Sequence, residues 1–357
     1  MPRVRLKDIA QRAGVSIMTV SKVLRNEPDV SPATKNRVRA LAQEMGYVPD
    51  VMAQSLRTRS THLIGLIIPA ITNPIFARLL LAVEDRVQQA GCDLVFGHTL
   101  NQVEREQTLI RRMLARRVNG LLLFPVHRLE SRSPAYEELR RHGLPTVILG
   151  PLTLACADFP NVQVDDIQAS YQATRHLLDL GHRRIAYLVG PPAAIWAQER
   201  FQGYQRALRE AGLKVEDNLV FQAGGTIEEG AGAALQMLHE RVDATAIQAV
   251  SDLVAIGAAN LMLDQGVAIP GDLSVIGFGN VLTASYFRVP LTTVRQPKHS
   301  MGLAAMDMLE ALIRGDRPES RRLPANLLFR SSTGPPPPEP RLANPRAVPP
   351  PIPPTVP

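Results

Sequence analysis

The chain has 357 residues, of which 45% are apolar, 20% charged and 4% aromatic. This length exceeds one ordinary domain, and the apolar content excludes disorder over most of the chain. Charge is concentrated at the amino terminus, where residues 1–60 hold 11 lysines and arginines against five acids, whereas the other 297 residues hold 29 against 28. The sequence therefore predicts a basic module attached to a nearly neutral body.

Several protein classes are excluded by the same composition. The first residues are basic but lack an apolar segment, which excludes a secretory signal. The longest apolar run, residues 63–71, is interrupted by a proline and is far too short to span a membrane. Cys92 and Cys156 lie in unlike contexts, as expected of two small buried thiols in a reducing compartment. We therefore expect a soluble, cytoplasmic protein without a membrane partner.

The first predicted elements are three short helices within residues 6–45. Apolar residues repeat at i, i+3, i+4 and i+7 in the first helix and continue as an inner face in the next two. These residues are Leu6, Ile9, Ala10, Ala13, Val20, Val23, Leu24, Val38, Leu41, Ala42 and Met45. Gly14 ends the first helix, Ser16 caps the second, and Ser31 with Pro32 opens the third. Three such helices, with an AGVS turn between the first two, are typical of a helix-turn-helix module.

The second helix has another face that the core does not require. It consists of Ile17, Met18, Ser21, Lys22 and Arg25. The two cations can donate to guanine edges or phosphates, and Ile17 and Met18 can contact thymine methyl groups. Packing of the two apolar residues on a neighbouring domain is the alternative, but the surrounding positive charge favours DNA.

Residues 4–57 resemble the headpiece and hinge of the LacI (lactose repressor) family of bacterial transcription regulators. The motifs LKDIA, AGVS, TVSKVL, VSPAT, GYVP and AQSLR all occur at the family's spacing. The resemblance implies that Ile17, Met18 and Lys22 contact base edges. It also implies a DNA contact by Leu6 and phosphate contacts by Ser16, Thr19, Ser21, Arg25, Ser31 and Thr34.

The same resemblance assigns residues 50–58 to a hinge helix that becomes ordered on operator DNA. Leu56, beside Ala53, would insert into the minor groove and bend the duplex. Asp50 departs from the family, which usually has asparagine at this position. An acid near phosphates is unfavourable unless it caps the hinge helix.

From residue 62 the pattern changes to short apolar runs that alternate with amphipathic helices. The predicted strands are residues 63–69, 93–97, 120–125, 145–150, 184–190, 244–250 and 273–279, and the predicted helices include 74–90, 104–117, 169–181 and 200–211. This alternation indicates parallel sheets covered on both faces. The units are too many for one sheet, and a break falls near residues 160–165. We therefore predict an α/β fold with two doubly wound parallel lobes.

The body is also similar to the core of the same family, which is of the periplasmic-binding-protein type with two lobes joined by three crossovers. The phrases IPAITNPIFARLL, LGHRRIAYLVG, RFQGYQRAL and PLTTVRQP carry this resemblance. It implies crossovers near residues 161–165, 290–294 and 323–328. The predicted domains are a headpiece (1–49), a hinge helix and linker (50–61), an effector-binding and dimerisation core (62–333) and a tail (334–357). Within the core, we expect the first lobe at about 62–161 and 293–323 and the second at about 162–292 and 324–333.

The tail is set apart by its prolines. Of the 30 prolines in the chain, 12 lie in residues 334–357. Such a segment favours extended polyproline II structure and cannot bury a core. We predict a disordered, solvated tail from residue 334 onward.

The resemblance further implies an effector pocket between the lobes. Its implied contact residues are Asn73, Ile75, Phe76, Leu79, Phe124, Trp196, Arg200, Ser251, Asp252 and Asn280. Three of them have other interpretations. Arg200 could form a surface ion pair, Asp252 could cap a helix, and Trp196 could be an ordinary packing aromatic.

Three glycines stand where the family often has ligand-contacting side chains. Gly150 and Gly279 replace aspartates, and Gly225 replaces an aromatic residue. Fewer carboxylates lower the cost of bringing in an anion, and Arg200 and Lys298 supply positive charge. The effector is thus expected to be a small molecule such as a sugar, a sugar acid or a similar metabolite.

Two other functions compete with regulation. An enzyme is disfavoured because the eight histidines lack metal-ligand spacing and the chain has no G-x-S-x-G, P-loop or G-x-G-x-x-G motif. A sugar-binding protein for uptake would need a signal peptide and would have no basic headpiece. We therefore predict a ligand-responsive repressor of carbohydrate or sugar-acid metabolism genes that needs no cofactor or metal. It would bind a palindromic double-stranded DNA operator as a homodimer, and effector binding between the lobes would control hinge order.

Overall fold

The computed structural model describes residues 4–48, 60–128 and 130–343. The chain divides into two compact units, residues 1–61 and residues 62–357. The predicted hinge helix, with Asp50, Ala53 and Leu56, lies outside the described residues, as does the tail from residue 344. No helix of the described part is long and apolar enough to cross a bilayer.

The amino-terminal unit contains the three predicted helices, α1 (Leu6–Ala13), α2 (Ile17–Leu24) and α3 (Pro32–Glu44). Gly14 ends α1 in a left-handed conformation with φ of 63°, which glycine adopts without strain. The side chains of Ser16 and Ser31 accept hydrogen bonds from the first turns of α2 and α3. The fully buried core is formed by Ile9, Val20, Val23 and Val38. The predicted helix-turn-helix module is confirmed.

The first lobe of the second unit is a six-stranded parallel sheet in the order β11-β5-β4-β3-β1-β2. Its strands are β1 (Leu63–Ile68), β2 (Asp93–His98), β3 (Gly120–Leu123), β4 (Thr146–Leu149), β5 (Asn161–Val164) and β11 (Arg321–Leu323). Its helices are α4 (Ala77–Gln89), α5 (Val103–Ala115), α6 (Pro134–His142) and α12 (Lys298–Ile313). The strands β3 and β4 are buried throughout, as expected of a sheet covered on both faces.

The second lobe is another six-stranded sheet, in the order β12-β10-β9-β8-β6-β7. Its strands are β6 (Ile185–Val189), β7 (Val220–Gln222), β8 (Ala246–Ala249), β9 (Ser274–Phe278), β10 (Thr292–Arg295) and β12 (Asn326–Leu328), and only β12 is antiparallel to its neighbour. Its helices are α7 (Asp166–Asp179), α8 (Ile195–Glu210), α9 (Ile227–His239), α10 (Asp252–Asp264) and α11 (Leu282–Tyr286). The predicted pair of doubly wound lobes is confirmed.

Three crossovers join the lobes, between β5 and α7, between β10 and α12, and between β11 and β12. The first lobe therefore continues to residue 164 and the second to residue 295, about three residues beyond the predicted boundaries. The difference arises because the run NVQV of β5 is short and interrupted by a polar residue. Such a run does not stand out as a buried strand in the sequence. Likewise, α8 begins at Ile195, five residues before the predicted start.

The prediction of a solvated tail from residue 334 is wrong for residues 334–343, which pack on the second lobe. The carbonyl of Gly334 accepts a hydrogen bond from Nε2 of the fully buried His182 (2.9 Å). Arg341 pairs with Asp272, and Leu342 is only 1% exposed within the second lobe's core. One buried leucine, one hydrogen bond and one ion pair thus hold residues 334–343 on the second lobe, although the proline content of this segment predicted disorder.

We expect Leu342→Ala to lower the free energy of unfolding by about 2 to 3 kcal/mol, because it removes a buried side chain and leaves a cavity. Urea denaturation of the full chain measures this loss. The matched control is Leu154→Ala, since Leu154 is 74% exposed and its truncation is expected to change stability by less than about 0.5 kcal/mol. Equal stabilities of the two variants would show that the tail does not contribute to folding.

Candidate functional site

The first candidate surface is the outer face of α2. Ile17 and Met18 are 52% and 63% exposed, although both are large and apolar. On the same helix Lys22 pairs with Asp29, which raises the pKa of the lysine, and Arg25 pairs with Glu27. Ile17 and Met18 are therefore available for contact with another molecule. Lys22 and Arg25 would have to leave their acidic partners in order to bind phosphates or bases.

Hydroxyl groups lie at the start of both α2 and α3. The Ser16 hydroxyl accepts a hydrogen bond from the Thr19 amide (3.0 Å), and Ser31 accepts one from the Thr34 amide (3.3 Å). Helix amino termini carry unsatisfied amide groups and a partial positive charge that favour phosphate. These four residues lie at the amino termini of α2 and α3, and their phosphate contacts stay a prediction. Leu6 instead packs half-buried against the headpiece core, and Ala53 and Leu56 are outside the described residues.

The second candidate site is a cavity of about 190 Å³ between the two sheets of the core. It lies at the carboxyl ends of parallel strands, where ligands bind in folds of this type. Eight of the ten predicted effector residues line it, namely Asn73, Ile75, Phe76, Phe124, Trp196, Arg200, Ser251 and Asp252. Phe76 and Phe124 meet edge to face with their ring centroids 4.9 Å apart.

Leu79 and Asn280 do not line the cavity, contrary to the prediction. Leu79 is fully buried in the first lobe's core because it lies on the inner face of α4. The side-chain oxygen of Asn280 accepts a hydrogen bond from Arg330 Nη2 (2.7 Å), which fixes the amide away from the cavity.

Arg200 is the central basic residue of the cavity and is only 6% exposed. Its Nε donates to Asp166 Oδ1 (2.9 Å) and its Nη1 to the carbonyl of Val250 (2.7 Å). The guanidinium carbon lies 3.7 Å from the ring centroid of Phe278 and 4.7 Å from that of Trp196. Planar stacking and directed donors hold the group rigidly. The surface ion pair considered from the sequence is therefore ruled out, because the pair that Arg200 forms is buried.

Asp252 is the first residue of α10 and is 1% exposed. Its Oδ1 accepts from the Thr293 hydroxyl (2.5 Å), and its Oδ2 accepts from the Val281 amide (2.8 Å). Burial raises the pKa of this carboxyl to about 6, and the two hydrogen bonds oppose that rise. The cap of α10 is Ser251, whose hydroxyl accepts from the Val254 amide.

The cavity has five polar lining residues that the sequence analysis did not assign to a site: Asn101, His127, Thr153, Asp166 and Gln296. Asp166 lies two residues after Val164, the last residue of β5, so recognition of that strand would have found it. Lys298, which the sequence analysis considered only as a source of charge, also lines the cavity as the first residue of α12.

One hydrogen bond crosses from lobe to lobe at the cavity. The indole Nε1 of Trp196 on α8 donates to His127 Nε2 (3.0 Å) in the loop that follows β3. Burial lowers the pKa of His127 to about 4, so the ring is neutral near pH 7 and Nε2 can accept the hydrogen bond from the indole. Trp196 is therefore a wall of the cavity and a contact between lobes, which favours a binding role over ordinary packing.

The loop that carries His127 is anchored by a buried ion pair. Arg128 and Glu106 are in contact, with side chains 2% and 0% exposed. Glu106 Oε1 also accepts from the Val126 amide (2.7 Å) and from the Tyr136 hydroxyl (3.0 Å). The fixed position of His127 thus depends on a carboxylate that lies behind the cavity wall.

The three glycines that depart from the family occupy different places. Gly150 lines the cavity and has φ of 100°, a conformation in which a side chain would be strained. Gly279 has φ of 139°, and a Cβ there would lie 3.0 Å from Ile75 Cδ1. Gly225 does not line the cavity, and its amide donates to Glu229 Oε2. The presence of Gly225 instead of the family's aromatic residue therefore does not change the lining of this cavity.

Two family models match the chain. Residues 5–50 match bacterial regulatory proteins of the lacI family, and residues 174–333 match a periplasmic binding protein-like domain. The transcriptional repressor CytR of Escherichia coli K12 is 33% identical over 333 residues, which is 92% of this chain and 96% of that protein. The transcriptional repressor PurR of Klebsiella pneumoniae is 34% identical over 319 residues, 89% of this chain and 93% of that protein.

Solved structures show the same similarity. A lac repressor dimer bound to operator and the anti-inducer ONPF aligns with a TM-score of 0.83 at 26% identity, covering 93% of this chain and all of that one. A complex of the transcriptional regulator CelR with cellobiose aligns with a TM-score of 0.70 at 31% identity, covering 92% of this chain and all of that one.

Proposed function

As the chain belongs to the lacI family of bacterial regulatory proteins, we propose that it is a ligand-responsive repressor that binds a palindromic operator as a homodimer. Its relatives are transcriptional regulators, so the chain is not an enzyme and that expectation is confirmed. The basic helix-turn-helix headpiece likewise argues against a protein for sugar uptake. Function as a DNA regulator also implies that the protein works in the cytoplasm.

The observation that carries this proposal is the exposed apolar pair on α2. Ile17 and Met18 stand beside Lys22 on a helix whose amino terminus is lined by hydroxyl groups. A recognition helix needs this combination, because apolar side chains discriminate thymine methyl groups while donors bind guanine edges and phosphates. We propose that α2 enters the major groove in this manner.

The two-fold symmetry of the proposed operator and the exposed apolar side chains of the core both support the homodimer. One headpiece can contact only a half-site, so two copies related by a two-fold axis match a palindrome. The core also exposes large apolar side chains, among them Leu81, Leu282 and Tyr286, at 59%, 68% and 82%. We propose that some of these side chains contribute to the interface with the second copy.

The cavity between the lobes is the proposed effector site. A sugar, sugar acid or similar metabolite would bind there without any cofactor and would favour one arrangement of the lobes. Residues 50–58 would then become ordered or disordered on DNA. The effector can shift that equilibrium only by its difference in affinity for the two arrangements, typically about 1 to 3 kcal/mol. Genes of carbohydrate or sugar-acid metabolism are the proposed targets.

The proposal is tested by selecting operator sequences from random duplex DNA with the full chain. We expect a palindrome and a steep loss of affinity with salt. Met18→Ala is then expected to weaken binding to the selected operator roughly 10-fold while leaving binding to unrelated DNA unchanged, because only specific binding uses base contacts.

Fluorescence anisotropy with both DNA sequences measures this difference. Leu154→Ala removes an apolar side chain of the core that is 74% exposed, against 63% for Met18, and is expected to leave both affinities unchanged. A selection that yields no common sequence would overturn the proposed function. Equal loss by Met18→Ala on both DNAs would show that α2 does not contact bases.

A further inference from the structure

We propose that the effector carries an anionic oxygen group, a carboxylate or a phosphate, and that the ammonium group of Lys298 is its anchor in the cavity. This inference rests on the proposed function, since it concerns the chemistry of the same effector site. It narrows the ligand from sugars in general to sugar acids or sugar phosphates.

The ammonium group of Lys298 is buried without a hydrogen-bond or ion-pair partner among the described residues. The residue is 8% exposed and lines the cavity at the start of α12. Its Nζ makes no hydrogen bond or ion pair with any residue that the structure describes. The ammonium group faces the rings of Phe76 and Phe124, whose centroids are 6.0 and 5.7 Å away. Contacts at that distance are too weak to compensate the removal of an ammonium group from water.

Both carboxylates that line the cavity already accept hydrogen bonds from other groups. Asp166 accepts from Arg200 Nε at 2.9 Å and from Gln296 at 3.5 Å. Asp252 accepts from the hydroxyl of Thr293 and from a backbone amide. Neither acid forms an ion pair with Lys298, although the charge of Asp166 acts on it at longer range, so a direct anionic partner for the ammonium group must come from outside this set of residues.

The two cations of the cavity have hydrogen-bond donors that the protein does not use. Arg200 uses Nε and Nη1 within the protein, whereas its Nη2 makes no hydrogen bond with a described residue. Arg200 and Lys298 therefore present unused donors to one cavity whose other walls include aromatic rings. Burial lowers the pKa of Lys298 to about 8, while the Asp166 charge opposes this shift and Arg200 adds to it, and a bound anion would raise the pKa again by pairing with the ammonium group.

The experiment compares Lys298→Met with Lys214→Met in the full chain. Methionine keeps the length of the side chain and removes the charge, and Lys214 is an exposed lysine on the second lobe that serves as the matched control. The probes are the aldonates, uronates and phosphates of common hexoses and pentoses, each tested beside its neutral parent sugar. Thermal unfolding identifies stabilising probes, and titration calorimetry gives their Kd.

We expect at least one acid or phosphate to stabilise the wild-type chain and the Lys214→Met variant, and to bind Lys298→Met about 10-fold or more weakly. The neutral parent is expected to bind the wild type and Lys298→Met with equal, weak affinity. Preference for aldonates and uronates identifies a carboxylate effector, and preference for sugar phosphates identifies a phosphate effector.

Without any probe, Lys298→Met is expected to unfold at a higher temperature than the wild type, because it removes an uncompensated buried charge. The inference is overturned if no anion in the panel distinguishes the wild type from Lys298→Met, or if this variant is less stable than the wild type without ligand. Operator binding by the wild-type chain is a separate measurement. If the wild type binds its operator and responds to a neutral ligand, only the anion inference fails.

Discussion

Arg200→Ala is expected to lower the free energy of unfolding by about 3 to 5 kcal/mol and to abolish the response to the effector. The loss of stability arises because the Asp166 carboxylate, 2% exposed, would remain buried without its cationic partner. The response is lost because Arg200 lies in the cavity wall, where its guanidinium group packs against the rings of Trp196 and Phe278. Urea denaturation and operator release by the effector measure the two losses.

Two further variants separate the causes. Asp166→Ala combined with Arg200→Ala removes both charges and is expected to recover part of the lost stability, while the effector response stays absent. Arg206→Ala changes an exposed arginine of the same helix that pairs with Glu210, and it is expected to leave the urea midpoint unchanged. If Arg200→Ala were as stable as Arg206→Ala, the buried ion pair would not contribute to folding.

Glu106→Ala is expected to produce a loss of similar size, about 3 to 5 kcal/mol, in the first lobe. The substitution leaves the Arg128 guanidinium buried and removes the acceptor of the Val126 amide and the Tyr136 hydroxyl. Urea denaturation is again the measurement. Glu138→Ala is the control, because Glu138 pairs with Arg111 on the surface and its removal is expected to have no measurable effect.

Limited proteolysis of the Glu106→Ala variant adds a local measurement. Since Glu106 anchors the loop that contains His127, we expect faster cleavage near residues 125–130 than in the wild type. Unchanged stability together with an unchanged cleavage pattern would contradict the role of this pair as an anchor.

Much of the fold follows from local patterns in the sequence. The three headpiece helices are predictable because their apolar spacing, caps and breaking glycine agree with one another. The strands that form the centres of the two sheets are predictable because burial on both faces requires short, continuous apolar runs. The run of β5 contains a polar residue, so its strand and the lobe boundary that depends on it were not found.

The site was less predictable because it is assembled from distant segments. The family resemblance, carried here by the phrase RFQGYQRAL, implied a role for Arg200, yet its partner Asp166 lies 34 residues away on another helix. Glu106 and Arg128 are not part of a recognisable sequence motif, and only the fold brings them into contact. Leu79 is the reverse case. The family resemblance implied a ligand contact at this residue, whereas the structure buries it on the inner face of its helix.

The hydrogen bond between Trp196 and His127 has a practical consequence. Trp196 is the only tryptophan of the chain, and it joins the lobes at the cavity while lying beside the guanidinium of Arg200. Its fluorescence emission therefore originates at one point between the lobes, without contribution from any other indole. Opening of the lobes or filling of the cavity changes the surroundings of that single fluorophore. The protein thus contains its own optical probe, with which the timing of lobe movement can be followed in solution without a label.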